Sequence, residues 1–156
     1  MPQPVPKAKT SAITRHVYVR AAKEHMVAAS ELFKLRRFVL ANYVSGLAVE
    51  CIVRAYRLLI SSQFDERHDL HELARAANFL QSFPPDEAES LTASFGIVAA
   101  QWENKHRYRS EDAFRRFLTE RGYYRGLKGD LVEGRTRIIV NAAFEIVNFG
   151  VSRWQQ

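Results

Sequence analysis

Two arginine–histidine pairs in this sequence have the residue types needed to cleave a phosphodiester. Arg20 precedes His25 with four residues between them, and His106 directly precedes Arg107. In RNA cleavage, a histidine moves the proton of the 2′-hydroxyl or of the leaving group, while an arginine stabilises the charge that builds on the phosphate. These four residues are therefore the candidate catalytic residues.

A polar cluster around Glu50 is the second candidate site. Glu50 lies in a largely apolar stretch, and a carboxylate buried there needs a partner. Arg54 follows one helical turn later and offers an ordinary surface pair. Alternatively, Arg107 reaches Glu50 from the fourth helix in a buried bidentate contact, and Trp102 and Tyr108 wall that pair. In this second arrangement Arg107 serves stability more than ligand binding.

The HDLHEL segment, residues 68–73, carries two histidines three residues apart. With Asp69 and Glu72 beside them, His68 and His71 have a spacing compatible with metal binding, but the set is incomplete for a tight site. Asp69 followed by Glu72 is better explained as a helix cap. The sequence also contains no Gly-rich phosphate loop and no CxxC pair. Neither a metal nor a cofactor is predicted.

Apolar residues recur at intervals of three and four along most of the chain, which predicts an all-α fold. We expect an up-down bundle of four main helices and one or two short ones. Capping and helix-breaking residues place their limits: Thr14 or Ser11 caps the first helix, Asp69 the third and Ser110 the fifth, while prolines precede the fourth helix and Gly122 follows the fifth. The predicted helices cover residues 11 or 14 to 35, 37–61, about 70–80, 85 onward, about 110–121 and 130–154.

The length and composition predict one domain in a reducing compartment. The chain has 156 residues, 47% of them hydrophobic and 26% charged, with a single cysteine. Residues 1–12 are expected to be a disordered tail and residues 13–156 a single helical domain. Cys51 is expected to be buried and inert. Because the longest uncharged run, residues 38–49, is shorter than a bilayer-spanning helix, the protein is predicted to be cytoplasmic and not membrane-bound.

Positive charge is concentrated at the two ends of the sequence. Residues 1–63 hold ten Lys or Arg against three acids, residues 64–104 hold two against eight, and residues 105–156 hold eleven against six. Two basic segments that meet in the fold would form a surface for the phosphates of a nucleotide or an RNA. The other possibility is that they pair with the acidic segment, within or between subunits.

Three segments together resemble the HEPN family of small helical bundles. They are residues 41–55 (ANYVSGLAVECIVRA), 68–73 (HDLHEL) and 102–108 (WENKHRY). The resemblance implies a HEPN-like bundle that forms a homodimer through its long helices. It also implies metal-independent ribonuclease activity in those members that carry an arginine, four to six further residues and then a histidine near the start of a late helix.

This chain departs from that catalytic pattern, because no histidine follows Arg107. The leading hypothesis is therefore a non-catalytic, dimeric module that binds a nucleotide, an RNA or a partner protein. One alternative is a metal-independent ribonuclease of a toxin or defence system. The other is a structural partner of a nucleotidyltransferase, by analogy with family members encoded beside such enzymes.

Overall fold

The computed structural model describes residues 13–154, which form six α-helices and two short 3₁₀ helices without any strand in that range. The predicted all-α class is confirmed, and the predicted tail at residues 1–12 lies outside the described residues. The α-helices are α1 (Arg15–Lys34), α2 (Phe38–Ile60), α3 (Leu70–Ala76), α4 (Pro85–Gln101), α5 (Glu111–Glu120) and α6 (Leu131–Trp154); the 3₁₀ helices are Leu80–Ser82 and Asn104–Tyr108.

Three helices begin at the side-chain caps that the sequence predicts. The side-chain oxygens of Thr14, Asp69 and Ser110 each accept a hydrogen bond from the backbone N–H three residues later, at 3.4, 3.0 and 3.2 Å. Each bond satisfies a donor that the first helical turn leaves without a partner. Gly122 follows α5 with a φ of +73°, a backbone conformation that favours glycine.

Helix α4 is shorter than the sequence suggests. Pro85 occupies its first turn and acidic residues follow, as expected for a helix start. The helix ends at Gln101, because Trp102 adopts an extended backbone with φ −82° and ψ 133°. Arg107 therefore lies on the 3₁₀ helix that follows, and its predicted place on the fourth helix is wrong.

Helix α2 runs through the centre of the bundle, in contact with α1, α3 and α6. By length and composition it is apolar enough to cross a membrane, but 67% of its most apolar window is buried inside the structure. Two glycines allow close packing on α2. A Cβ at Gly46 would lie 1.9 Å from the Trp102 ring, and one at Gly150 would lie 2.4 Å from Ile52.

A second, smaller core joins α5 to the bundle. Its buried side chains come from α2, α5 and α6, namely Phe38, Phe114, Phe117, Leu118 and Val132. This core holds the Asn104–Tyr108 3₁₀ helix in place, since His106 packs edge-on against the rings of Phe114 and Phe117 at 5.2 and 4.8 Å. The segment that carries Arg107 is therefore fixed by α5 rather than by α4.

Candidate functional site

Glu50 and Arg54 form a buried ion pair on α2. Both side chains are 7% exposed, Arg54 donates through Nε to a Glu50 carboxylate oxygen at 2.8 Å, and its Nη2 lies 2.8 Å from the same oxygen. The two residues are one helical turn apart, so the backbone already places them together. The predicted pairing of Glu50 with Arg54 is therefore confirmed, but the pair lies inside the bundle and not at its surface.

The remaining Arg54 donors fix the loop between α2 and α3. Its Nη1 donates to the carbonyl of Asp65 and its Nη2 donates to the carbonyl of Arg67 at 2.7 Å. The guanidinium also lies 5.1 Å from the centre of the Phe64 ring. Arg54 therefore connects the core helix to a segment that has no regular structure of its own.

His68 completes this group on the side facing solvent. Its Nδ1 lies 3.1 and 3.2 Å from the two carboxylate oxygens of Glu50, while its side chain remains 49% exposed. We call Glu50, Arg54 and His68 the Glu50 cluster. From the sequence, His68 was predicted only as a possible metal ligand. The signal that could have predicted its contact with Glu50 is the need of a buried carboxylate for partners.

The predicted contact between Glu50 and Arg107 is wrong. Arg107 is exposed, and its guanidinium lies 4.7 Å from the centre of the Tyr108 ring, which is itself 76% exposed. Trp102 packs on Gly46 instead, and its indole N–H donates to the carbonyl of Tyr43 at 3.0 Å. Among the described contacts, Arg107 lies against Tyr108 and not against Glu50, because α4 ends before this segment.

The electrostatics around α2 do not favour a reactive thiol. Burial, with the nearby Glu50 carboxylate as the second cause, raises the pKa of Cys51 to about 11. The thiol therefore stays protonated at neutral pH and is a poor nucleophile. In the loop, hydrogen bonds from Arg67 hold the pKa of Asp65 well below its usual range, so that carboxylate stays charged.

His106 is fully buried, which removes it from direct contact with a substrate. Its Nδ1 accepts a hydrogen bond from the Glu103 backbone N–H at 3.4 Å. The ring proton therefore sits on Nε2, which lies 3.9 Å from a Glu103 carboxylate oxygen. Burial lowers the pKa of His106 to about 4, only partly opposed by Glu103. The residue is neutral at physiological pH.

Glu103 is surrounded by three cationic side chains. The carboxylate lies 3.4 Å from Lys105, 3.5 Å from Arg109 and 3.4 Å from Arg121. We call these four residues the Glu103 cluster. One carboxylate cannot neutralise three cations, so the cluster keeps an excess of positive charge at the surface.

Aromatic rings accompany these arginines. The guanidinium groups of Arg109 and Arg121 each lie 4.9 Å from the centre of the Phe117 ring. The exposed pair of Arg107 and Tyr108 directly precedes Arg109 in the chain. Arg109 and Arg121 were not predicted as site residues. The alternation of Lys105, Arg107 and Arg109 along the chain is a signal that could have indicated a basic surface there.

Arg20 and His25 do not form a site with each other. Both lie on α1, where five residues correspond to about 140° of rotation around the helix axis. No contact between them is formed in the described part of the chain, and Arg20 is exposed while His25 is half-buried. Arg20 and His25 therefore have the sequence spacing of the catalytic motif, but their side chains do not come together.

Within residues 13–154, no group of three or more His, Cys, Asp or Glu side chains is arranged to hold a metal ion. His71 packs edge-on against Phe95 at 5.8 Å, and Asp69 caps α3. His68 and His71 thus have different surroundings.

The sequence matches no family model, no curated protein and no solved structure. The resemblance to the HEPN family stays a prediction.

Proposed function

We propose that this chain is a non-catalytic module that binds single-stranded RNA through the Glu103 cluster and the adjoining Arg107 and Tyr108. The observation that carries the proposal is the convergence of Lys105, Arg109 and Arg121 on one carboxylate. Cations held at that density attract phosphates and release counterions when an RNA binds.

The exposed Tyr108 supplies a ring on which a base can stack, which a site for phosphates alone lacks. Aromatic side chains stack on unpaired bases, and arginine adds a cationic face beside them. Tyr108 is 76% exposed and Arg107 lies against its ring. A single strand can place a base on Tyr108 while its backbone follows the cations of the Glu103 cluster.

The state of the histidines favours binding over cleavage. His106 is buried and neutral, so it cannot exchange a proton with an RNA hydroxyl. The ribonuclease alternative is supported by one observation, the carboxylate of Glu50 that orients the half-exposed ring of His68. Incubation of labelled RNA with the wild type and with His68→Ala separates the two functions, because only the alternative expects cleavage that the substitution abolishes.

Fluorescence anisotropy with a labelled single-stranded RNA pool tests the binding site. Arg121→Ala and the double variant Arg107→Ala/Tyr108→Ala should each weaken binding by about tenfold, since each removes a phosphate or stacking contact. Arg75→Ala is the matched control: Arg75 is a 76% exposed arginine on α3, also paired with a carboxylate, and lies outside the cluster. Its affinity should stay at the wild-type value.

Equal loss in Arg75→Ala would mean that only net charge matters and would contradict a defined site. Absence of RNA binding by the wild type at low salt would remove the proposal. The cytoplasmic location and the nucleotidyltransferase partner stay predictions.

A further inference from the structure

A pocket at the other end of α4 from the Glu103 cluster combines positive charge with aromatic rings. It lies where the start of α1 meets the ends of α2 and α6, and it encloses about 400 Å³, a volume typical of a small-molecule site. Arg15 and Arg153 line it, and no described carboxylate does. Arg153 pairs with Glu87 in the first turn of α4, whereas Glu103 follows the end of that helix, and 17 helical residues span about 25 Å. The pocket is therefore separate from the proposed RNA site.

Trp154 forms one wall of the pocket, and neighbouring side chains hold its ring in place. The ring centre of Tyr56 lies 5.4 Å from that of Trp154, and the imidazole of His16 meets the indole edge-on at 6.2 Å. Tyr56 is 5% exposed, and its hydroxyl donates to the carbonyl of Gly150 at 2.7 Å, one helical turn before Trp154. Leu59 adds an apolar side chain to the lining. A flat apolar ring therefore finds a preformed aromatic surface here.

The charge of the lining suits an anion with a single negative charge. The Arg15 guanidinium lies 5.9 Å from the centre of the Trp154 ring and forms no ion pair with any described residue. Arg153 differs, because its Nε lies 3.7 Å from a Glu87 carboxylate oxygen and shares its charge with that acid. The two arginines and Glu87 together carry one net positive charge. One carboxylate balances that charge, whereas a doubly charged phosphate exceeds it.

We propose that this pocket binds a small aromatic carboxylate, with its ring against Trp154 and its carboxylate at Arg15 and Arg153. A guanidinium offers a carboxylate two parallel N–H donors, and such charge-assisted bonds are stronger than neutral ones. The ring supplies the apolar contact that a site of this size needs for affinity. This assignment does not rest on the proposed RNA binding, since no residue of the Glu103 cluster lines the pocket.

Nuclear magnetic resonance of isotope-labelled protein, titrated with naphthoate, tests the pocket. The sequence has two tryptophans, so the spectrum has two indole N–H signals, and Trp154→Phe assigns them. The Trp154 signal should shift with a dissociation constant of about 1 mM or below. The Trp102 signal is the internal control, because that side chain is 4% exposed and its N–H is bonded to the Tyr43 carbonyl. It should not move.

Two changes test the contact with the carboxylate. Naphthamide, the uncharged analogue, should bind at least about tenfold more weakly than naphthoate, because it loses the charge-assisted bonds. Arg15→Gln should weaken naphthoate binding by a similar factor. Lys23→Gln is the matched control, since it removes one exposed positive charge from the same helix outside the pocket. Its dissociation constant should equal that of the wild type, and an unmoved Trp102 signal shows that each variant is folded.

A Trp154 signal that does not respond to millimolar naphthoate would overturn the proposed site. Equal affinities for naphthoate and naphthamide would show that the ring alone binds and would overturn the role of the arginines. Equal losses in Arg15→Gln and Lys23→Gln would show that net charge alone matters. Naphthyl phosphate bound more than tenfold more tightly than naphthoate would overturn the preference for a single negative charge.

Discussion

Trp102 occupies the space that any side chain at Gly46 would need. A Cβ at position 46 would lie 1.9 Å from the indole Cδ1, and the indole N–H donates to the carbonyl of Tyr43 at 3.0 Å. This contact fixes α4 against α2 and turns the chain out of α4 immediately afterwards. The contact with Gly46 therefore sets where the 3₁₀ segment with Glu103 and Lys105 leaves α4, while α5 holds that segment in place.

Gly46→Ala should destabilise the fold by at least about 2 kcal/mol, because the added methyl overpacks the contact with Trp102. Chemical denaturation measures this free energy of unfolding. Gly96→Ala is the matched control on α4, where an added Cβ meets nothing within 4 Å. There the helix propensity of alanine should stabilise the protein by about 0.5 to 1 kcal/mol. Equal effects at both positions would contradict the close contact.

Arg54→Ala should cost about 3 to 5 kcal/mol, since it leaves the Glu50 carboxylate buried without its main partner and frees two loop carbonyls. Glu50→Ala should be comparably damaging. The double variant should be less destabilised than the sum of the two, because the residues share one interaction. Strictly additive losses would show that the pair contributes nothing as a pair.

Arg107→Ala should leave the free energy of unfolding within about 0.5 kcal/mol of the wild type, as for other exposed positions. Its side chain touches Tyr108 at the surface and not Glu50. Thermal melting beside Arg54→Ala provides the comparison. A loss of several kcal/mol would reinstate a structural role for Arg107 and weaken its assignment to the RNA surface.

His106 should make the protein less stable in mild acid. Its pKa is about 4 in the fold and about 6.5 in an unfolded chain. Between these values the unfolded state binds more protons, so the stabilising contribution is complete above about pH 6.5 and is lost as the pH falls toward 4. The loss should approach about 3 kcal/mol. His106→Leu should abolish this part of the pH dependence, and an unchanged slope would contradict the buried neutral ring.

Much of the fold follows from local signals. The caps at Thr14, Asp69 and Ser110 and the prolines before α4 are short-range features, and helix limits derived from them agree with the structure to within a few residues. Gly46 is a further local signal, because a glycine in the middle of a helix is costly unless close packing compensates.

The end of α4 did not follow from the sequence. Neither glycine nor proline marks the stop after Gln101, and the helix ends because Trp102 docks on α2, a tertiary contact. The expectation that α4 continues to Arg107 led to the prediction of a contact between Arg107 and Glu50, whereas Glu50 pairs with Arg54. The Glu103 cluster was missed for a related reason, since Arg121 reaches Glu103 from beyond α5 across 18 positions of sequence.

RNA affinity should fall steadily as salt rises from about 50 to 200 mM, because each neutralised phosphate releases counterions. The wild type should show a steeper dependence on the logarithm of salt concentration than Arg121→Ala, which lacks one cation. Anisotropy titrations at several salt concentrations measure both slopes. Identical slopes would mean that Arg121 does not contact phosphate.

Ultraviolet crosslinking of bound single-stranded RNA, followed by mass spectrometry of the peptides, tests the central claim most directly. Tyr108 is the exposed ring proposed to stack on a base, so crosslinks should fall in the peptide that contains it and disappear in Tyr108→Ala. Tyr124, 49% exposed and also near the basic end of the chain, is the internal comparison. Crosslinks confined to other parts of the protein, with none at Tyr108, would contradict the proposed RNA site.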